Sequence, residues 1–512
     1  MPLLLLLTGL ACASAALLLA RGVFGPFDLI WPVHNPLNLE CALALAILLS
    51  LLARSVRAHA PLYARPFAAG APVVVAVITA VAYLPILSMP LVTDDYIHLR
   101  QISSGQAPTP IECLTHSCGG PRFFRPLGFA TYWAEQKLWN TAALPRHAFD
   151  LALHVASSVL FLMLVRRLGM PPPLDWLAGL LFALNGLFPE AVAWTAARFD
   201  MLALLFSLIA ALAVARGTGV YALAVSLAAT MCACLSKESG FVLPVLLVLL
   251  LGRRVRTRDG KVLAISNFTL AAAIFTWRWL VLKGIGGYQE ATGAPTVFEF
   301  DGIKLAKTFL ARIWGVLWIP VNWSRPLEFW MMLGLAAGLL GSLAMLKARP
   351  DRRPLLLTMV GVVVACIPTH HMLLIGPSLE RSRYLTYALP AFVLLIVNAC
   401  RALPRWMGPA ALCLLAAFHL AALQHNLRIW RSVASARYEL CRGVAAVART
   451  TGGTVSIEGL PLTLDGVYWS NGLEDCLALE FGVPMGKVWV NSPDPAGASL
   501  RLHWDASERA LR

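Results

Sequence analysis

Long apolar blocks alternate with short charged stretches along most of this chain. One helix needs about 20 predominantly apolar residues to cross the hydrocarbon core of a bilayer. Blocks of roughly that size lie at 3–20, 38–53, 71–89, 148–165, 174–189, 199–215, 218–235, 240–252, 262–282, 328–346, 355–371, 384–400 and 407–424. The pattern predicts an all-α polytopic membrane domain over 1–424 with about 13 spans. The first block lacks a basic flank, so it reads as a span rather than a signal peptide.

Polar segments separate the blocks at 90–146, 283–327 and 425–512, with a shorter one at 372–383. Within 301–319, Lys304, Lys307 and Arg312 recur at helical spacing among apolar residues, which predicts an interfacial helix or a further span. The 121–146 stretch is rich in Trp, Tyr, Phe and Arg, the residues that settle at headgroup level. In the tail, 425–449 has a polar helical pattern. After Gly452-Gly453 come strand-like runs, Thr454–Ile457 and Lys487–Val490, between turn residues. The tail therefore reads as a small α+β extramembrane domain. No tandem repeat is visible, which excludes a solenoid.

Composition agrees with lipid as the main solvent. Apolar residues make up 58% and charged residues 13%, against about 25% charged in soluble domains. Mean hydropathy is +0.70. The formal net charge of +15 does not signal nucleic acid, because Lys and Arg are gathered in short loops. Arg54, Arg57, Arg65, Arg166, Arg167, Arg253, Arg254, Arg256, Arg258, Lys261, Lys347, Arg349, Arg352, Arg353, Arg401 and Arg405 all fall on one side when spans are counted alternately. The positive-inside rule makes that side cytoplasmic and puts the long polar segments outside. Cys113 with Cys118, and Cys441 with Cys476, lie in those outer segments. An oxidising compartment would allow either pair to form a disulfide. His116 alone does not complete a zinc site.

Ionisable residues at the outer ends of spans are the candidates for chemistry. Asp94 and Asp95 (LVTDDYIHLR) follow the third block. One reading makes Thr93 or Asp94 the cap of a helix beginning at Tyr96. The other is a base for an acceptor hydroxyl, with a neighbour that tunes it or binds a divalent cation. Arg125 precedes Pro126 at a helix entry and is a candidate phosphate ligand. Glu190, Arg198 and Asp200 share a short outer loop, where a local pair, Glu190–Arg198 or Arg198–Asp200, is the bland account. Lys237 and Glu238 (LSKESGFVLP) and Glu380, Arg381, Arg383 and Tyr384 (GPSLERSRYLTYALP) place cations on the outer side against the charge rule. A bound phosphate or diphosphate would explain them.

These stretches (TDDYIHL, FFRPLGFATYW, HAFDLALHVASSVLFLMLV, LFALNGLFPEAVAWTAARFDMLALLF, CLSKESGFVLP and ERSRYLTYALP) resemble, in order, the GT-C superfamily of membrane glycosyltransferases. The likeness covers roughly 85–250 and, more weakly, 376–395, and is nearest to the transmembrane-and-TPR O-mannosyltransferases and their bacterial relatives. The resemblance implies an inverting transferase that takes a sugar, by family habit mannose, from a polyprenyl-phosphate donor to a hydroxyl on a glycan, lipid or protein. It implies Asp94 as base beside Asp95, with Arg125, Lys237 and Arg383 on the lipid phosphate. It also implies a large first outer loop. The lack of an organelle signal and the short loops favour a bacterial plasma membrane, with the active site facing the periplasm or exterior. Two helices precede the span that leads to Asp94, and TPR repeats are lacking, so the acceptor is left open. Competing readings are a flippase for a lipid-linked glycan, which needs charges deep within spans, and a polysaccharide polymerase or ligase using Arg and His, for which His370 and His371 are candidates.

Overall fold

In the computed structural model, residues 64–120, 122–289, 295–296, 313–323, 338, 341, 353–373, 375–403, 406–491 and 498–512 are described. The predicted spans 3–20 and 38–53, nearly all of 328–346 and most of 301–319 lie outside them.

Among the described residues, seven helices are long and apolar enough to cross a membrane. The protein is a polytopic integral membrane protein; its described residues are mostly helical, with a small α+β tail. Helix α1 (Ala64–Tyr83) tightens into a 3-10 turn at Leu84–Ser88. The predicted 90–146 loop is itself helical, with α2 (Asp94–Ser103) and α3 (Pro126–Trp139) before α4 (Ala143–Arg167). Pro126 starts α3 at the one position where its missing N–H is harmless.

The predicted span 174–189 is shorter than its apolar run suggests. Helix α5 (Leu174–Ala183) has 10 residues, about 15 Å, half the hydrocarbon thickness. The chain breaks at Asn185-Gly186, where Asn185 Oδ1 accepts from the Leu187 amide at 3.1 Å. Asn426 Nδ2 donates to the carbonyl oxygens of Gly186 at 2.7 Å and Pro320 at 2.8 Å. These bonds satisfy the Leu187 amide and the Gly186 carbonyl where the buried backbone breaks. A short α6 (Pro189–Ala193) and a 3-10 turn follow, then α7 (Arg198–Arg216), which packs against α4 and α8 (Val220–Ser236). Helix α9 (Leu243–Leu251) is also short; α10 (Arg258–Leu282), α11 (Trp314–Trp318), α12 (Arg353–Cys366) and α13 (Leu389–Cys400) complete the described bundle.

Helix α14 (Met407–Thr450) has 44 residues, about 66 Å. It is roughly twice as long as a bilayer core, so the predicted span 407–424 and the polar stretch 425–449 are one rod, and the expected boundary at 424/425 falls inside it. Beyond α14, strand β1 (Val455–Glu458) becomes the centre of a four-stranded sheet. The hairpin β2 (Thr463–Leu464) and β3 (Val467–Tyr468) turns on Asp465-Gly466, both with positive φ, the signature of a tight two-residue hairpin. Helix α15 (Leu473–Phe481) precedes β4 (Val488–Val490); β5 (Leu500–Asp505) and β6 (Ala510–Leu511) follow. Strands β4 and β5 flank β1 in parallel, and β6 runs antiparallel to β5. The predicted strand-like runs are β1 and β4.

Candidate functional site

The ionisable residues singled out from the sequence gather at one end of the bundle, and apart from Arg381 with Glu380 they do not pair locally. Arg198 Nε bonds Asp150 of α4 at 2.6 Å, and its Nη1 lies 2.6 Å from Glu135 of α3. Arg146 reaches the other Glu135 oxygen at 2.9 Å. Glu190 accepts from Arg383 through both side chain and backbone N–H, the latter at 3.1 Å, and from Ser382 Oγ at 3.0 Å. Asp200 holds Lys237. Neither expected local pair, Glu190–Arg198 or Arg198–Asp200, forms. Each partner comes from a distant element, so these ion pairs fasten α3, α4, α6, α7, α8 and the Ser382–Ala388 turn together. Buried charges persist only where paired and hydrogen-bonded.

Asp94 and Asp95 differ sharply in their surroundings. The helix starts at Asp94 rather than Tyr96, and Thr93 makes no side-chain cap. Asp95 is fully buried and saturated. It accepts from the Val92 amide at 3.0 Å, the Ala196 amide at 2.7 Å and Tyr132 Oη at 3.2 Å. Burial pushes its carboxyl up to about 7, against the pull of those donors. Asp94 is half-buried and has neither a hydrogen bond nor an ion pair among the described residues. Burial raises its carboxyl above the ordinary range; the charges of Arg383 and Arg437 oppose that rise, and Asp475 adds to it. A carboxylate without a partner, in a cationic field, is available to take a proton.

Arg383, one of the charges acting on Asp94, touches a residue of a cavity wall. Its Nη2 donates to Tyr384 Oη at 3.0 Å, and its guanidinium lies 4.5 Å from the Trp194 and Tyr384 ring centres and 5.7 Å from that of Tyr468. Tyr384 also receives Lys237 Nζ over its ring at 4.5 Å, and it lines a cavity of about 190 Å³. Arg125, Lys237, Glu238, Arg278 and His371 share that wall with aromatic rings. Arg125 donates to Glu238 at 2.7 Å, and Arg278 lies 3.9 Å from the same carboxylate. The Arg125 guanidinium holds the Glu238 carboxyl down to about 2, despite burial. Burial pulls the Lys237 ammonium down to about 8, against the attraction of Asp200. Arg125, Arg278 and Lys237 stand against two carboxylates, Glu238 and Asp200, which leaves one net positive charge beside this cavity, suited to a phosphate.

Arg381 stands apart. It is partly exposed, has positive φ and pairs at 3.5 Å with its neighbour Glu380. Among the described residues no group of three or more His, Cys, Asp or Glu could hold a metal ion; Asp95 is already committed to its three donors. Sequence reasoning passed over Arg278, Asp150 and Arg437. An arginine between two tryptophans and an aspartate within an apolar run are intramembrane charges, a signal that does mark function. Nothing in the polar 425–449 stretch separates Arg437 from its neighbours.

No family model and no curated protein matches this chain. Two crystal structures of ArnT from Cupriavidus metallidurans are similar to it. With the form bound to undecaprenyl phosphate, identity is 16% over 82% of this chain and 88% of that one, at a TM-score of 0.33. With the apo form the values are 17%, 83%, 90% and 0.34. Likeness of that size carries no argument about function.

Proposed function

We propose that this protein is an inverting glycosyltransferase that moves a sugar from a polyprenyl-phosphate donor to a hydroxyl acceptor at the outer face of a membrane, with Asp94 as general base. The observation that carries the reading is an unpaired carboxylate, Asp94, in the field of Arg383, which bonds Tyr384 on the wall of a cavity also lined by Arg125, Lys237 and Arg278. The acceptor oxygen attacks the anomeric carbon as its bond to the phosphate oxygen breaks. Asp94 takes the hydroxyl proton, and the departing phosphate dianion meets fixed positive charge. Attack opposite the phosphate inverts the anomeric centre. An apolar groove of about 580 Å³, walled by Leu164, Leu208, Leu247, Leu357 and Leu394, offers hydrocarbon surface for a prenyl chain. The bacterial inner membrane, a periplasmic site and mannose as the sugar belong to the same proposal. So does a division into a 1–424 transmembrane domain and a 425–512 extracytoplasmic one.

A polymerase or ligase that also uses a lipid-linked donor is the second reading, favoured by His371 on the cavity wall. Purified protein in detergent, given polyprenyl-phosphate sugars and candidate acceptors, separates the readings. Donor consumption abolished by Asp94→Asn and retained by His371→Ala supports the transferase. The reverse result supports the ligase. Full activity of Asp94→Asn removes Asp94 as base.

A further inference from the structure

Arg437 sits on the outer half of α14 and is 1% exposed. Its Nε donates to the Trp469 carbonyl oxygen at 3.0 Å and its Nη2 to that of Asn471 at 2.8 Å. The guanidinium lies 5.6 Å from the centre of the Tyr96 ring, two residues beyond Asp94. Its Nη1 is buried with no hydrogen-bond partner among the described residues. Arg125, Arg146, Arg198 and Arg383, also buried, each hold a carboxylate; Arg437 holds none among the described residues. A buried cation without a counter-charge is costly, and carbonyls from the tail domain fix it in place. Asp475, on α15, pairs with Arg100 of α2. Gly472, with φ +64, lets the start of α15 lie directly on the Thr93 carbonyl, where a Cβ would collide. The tail domain is thus docked on the helix that carries Asp94.

We infer that the tail domain completes the site electrostatically, with Arg437 as a positioning residue whose charge keeps Asp94 ionised to receive the acceptor proton. This rests on the reading of Asp94 as base. The charged groups around Asp94 are Asp95 on its own helix, Arg383 from the Ser382–Ala388 turn, Asp475 with Arg100, and Arg437 from α14. Arg383 is neutralised by Glu190 and Arg100 by Asp475, which leaves Arg437 as the uncompensated cation of the set.

The test is the pH dependence of kcat/KM for donor consumption. Arg437→Gln moves the acidic limb to higher pH by about one unit, and Arg437→Lys, which keeps the charge but loses the forked carbonyl bonds, restores it. An unmoved limb in a folded Gln variant overturns the inference, as does a Lys variant shifted as far as Gln. If the Gln variant does not fold, Asp475→Asn probes the same field with opposite sign: loss of that negative charge moves the limb to lower pH, and an unmoved limb overturns the inference. Activity in Asp94→Asn removes the underlying reading instead, so the two failures are distinguishable.

A separate observation concerns cysteine. The Cys441 and Cys476 thiols are fully buried, unbonded to each other, on α14 and α15, two helices that pack together. Cys113 and Cys118 are likewise buried, and the Cys118 Sγ lies 3.9 Å from the Cys113 carbonyl oxygen. All four lie in the segments assigned to the outer side, whereas the other described cysteines sit on helices of the bundle. We propose that both pairs are disulfides in the mature protein, the first stapling α15, and with it Asp475, to the helix carrying Arg437. Each pair loses two protons and two electrons by thiol–disulfide exchange, and a disulfide-bearing oxidoreductase of the outer compartment is reduced to its dithiol. Protein taken from native membranes, denatured and labelled with a mass-adding maleimide, exposes four further thiols after reduction. Equal labelling with and without reductant overturns the proposal. Labelling of the Cys441→Ala/Cys476→Ala variant assigns the pairs: reduction then exposes two.

Discussion

At one end of the bundle Arg125, Arg198, Lys237 and Arg383 are buried, and each holds a carboxylate supplied by another element. At the other end Arg253, Arg256 and Arg258 are exposed at the connection between α9 and α10, with no ion pair among the described residues. The residue types are alike; the solvent is not. An exposed arginine next to a membrane acts as a topological marker and is screened by water and salt. A buried arginine demands a partner, and its partner ties distant helices into one geometry. Against that background Asp94 stands out, because it is a carboxylate at the cationic end that no described residue engages.

The comparison breaks most visibly at the aspartate pair. Asp94→Asn lowers donor consumption by about 10²- to 10⁴-fold, the usual contribution of a general base, without changing the thermal midpoint. Asp95→Ala does the opposite in kind: it lowers the midpoint, because the Val92 and Ala196 amides and Tyr132 Oη lose their acceptor, at about 1–3 kcal/mol for each buried donor. A midpoint loss equal in both variants would erase the distinction between them.

Next in size are the crossed pairs. Lys237→Met leaves Asp200 buried without its cation and destabilises the fold by about 3–5 kcal/mol, and it weakens retention of the lipid donor. Chemical denaturation and donor binding measured together check both.

The pH profile sharpens the same contrast. Transfer rises as Asp94 loses its proton, above the ordinary carboxylate range because burial raises it, and falls above about 8 as Lys237 loses its charge. Lys237→Arg, which stays charged throughout, removes the alkaline limb and leaves the acidic one. The smallest effect belongs to the other end: Arg253→Ala changes stability by less than about 0.5 kcal/mol and leaves donor consumption unchanged.

Much of this protein was legible from its amino acids, and for a physical reason. Lipid demands apolar blocks of a minimum length, so the spans corresponding to α4, α7, α8, α10 and α13 could be read directly, as could β1 and β4 between their turn residues. The charged positions at one end, from Asp94 to Tyr384, were visible as polar exceptions to an apolar rule. Their partners were not. Arg198 with Asp150, Glu190 with Arg383 and Asp200 with Lys237 lie 48, 193 and 37 residues apart, and no local pattern encodes such meetings. Nor does it encode the division of labour between Asp94 and Asp95, because their difference is made by an amide from Ala196 and a hydroxyl from Tyr132. The role proposed for Arg437 was likewise invisible, since it depends on a tail domain folding back onto the helix that begins at Asp94. Hydrophobic blocks are a property of the chain, whereas the charge that surrounds a carboxylate is a property of what the fold brings beside it.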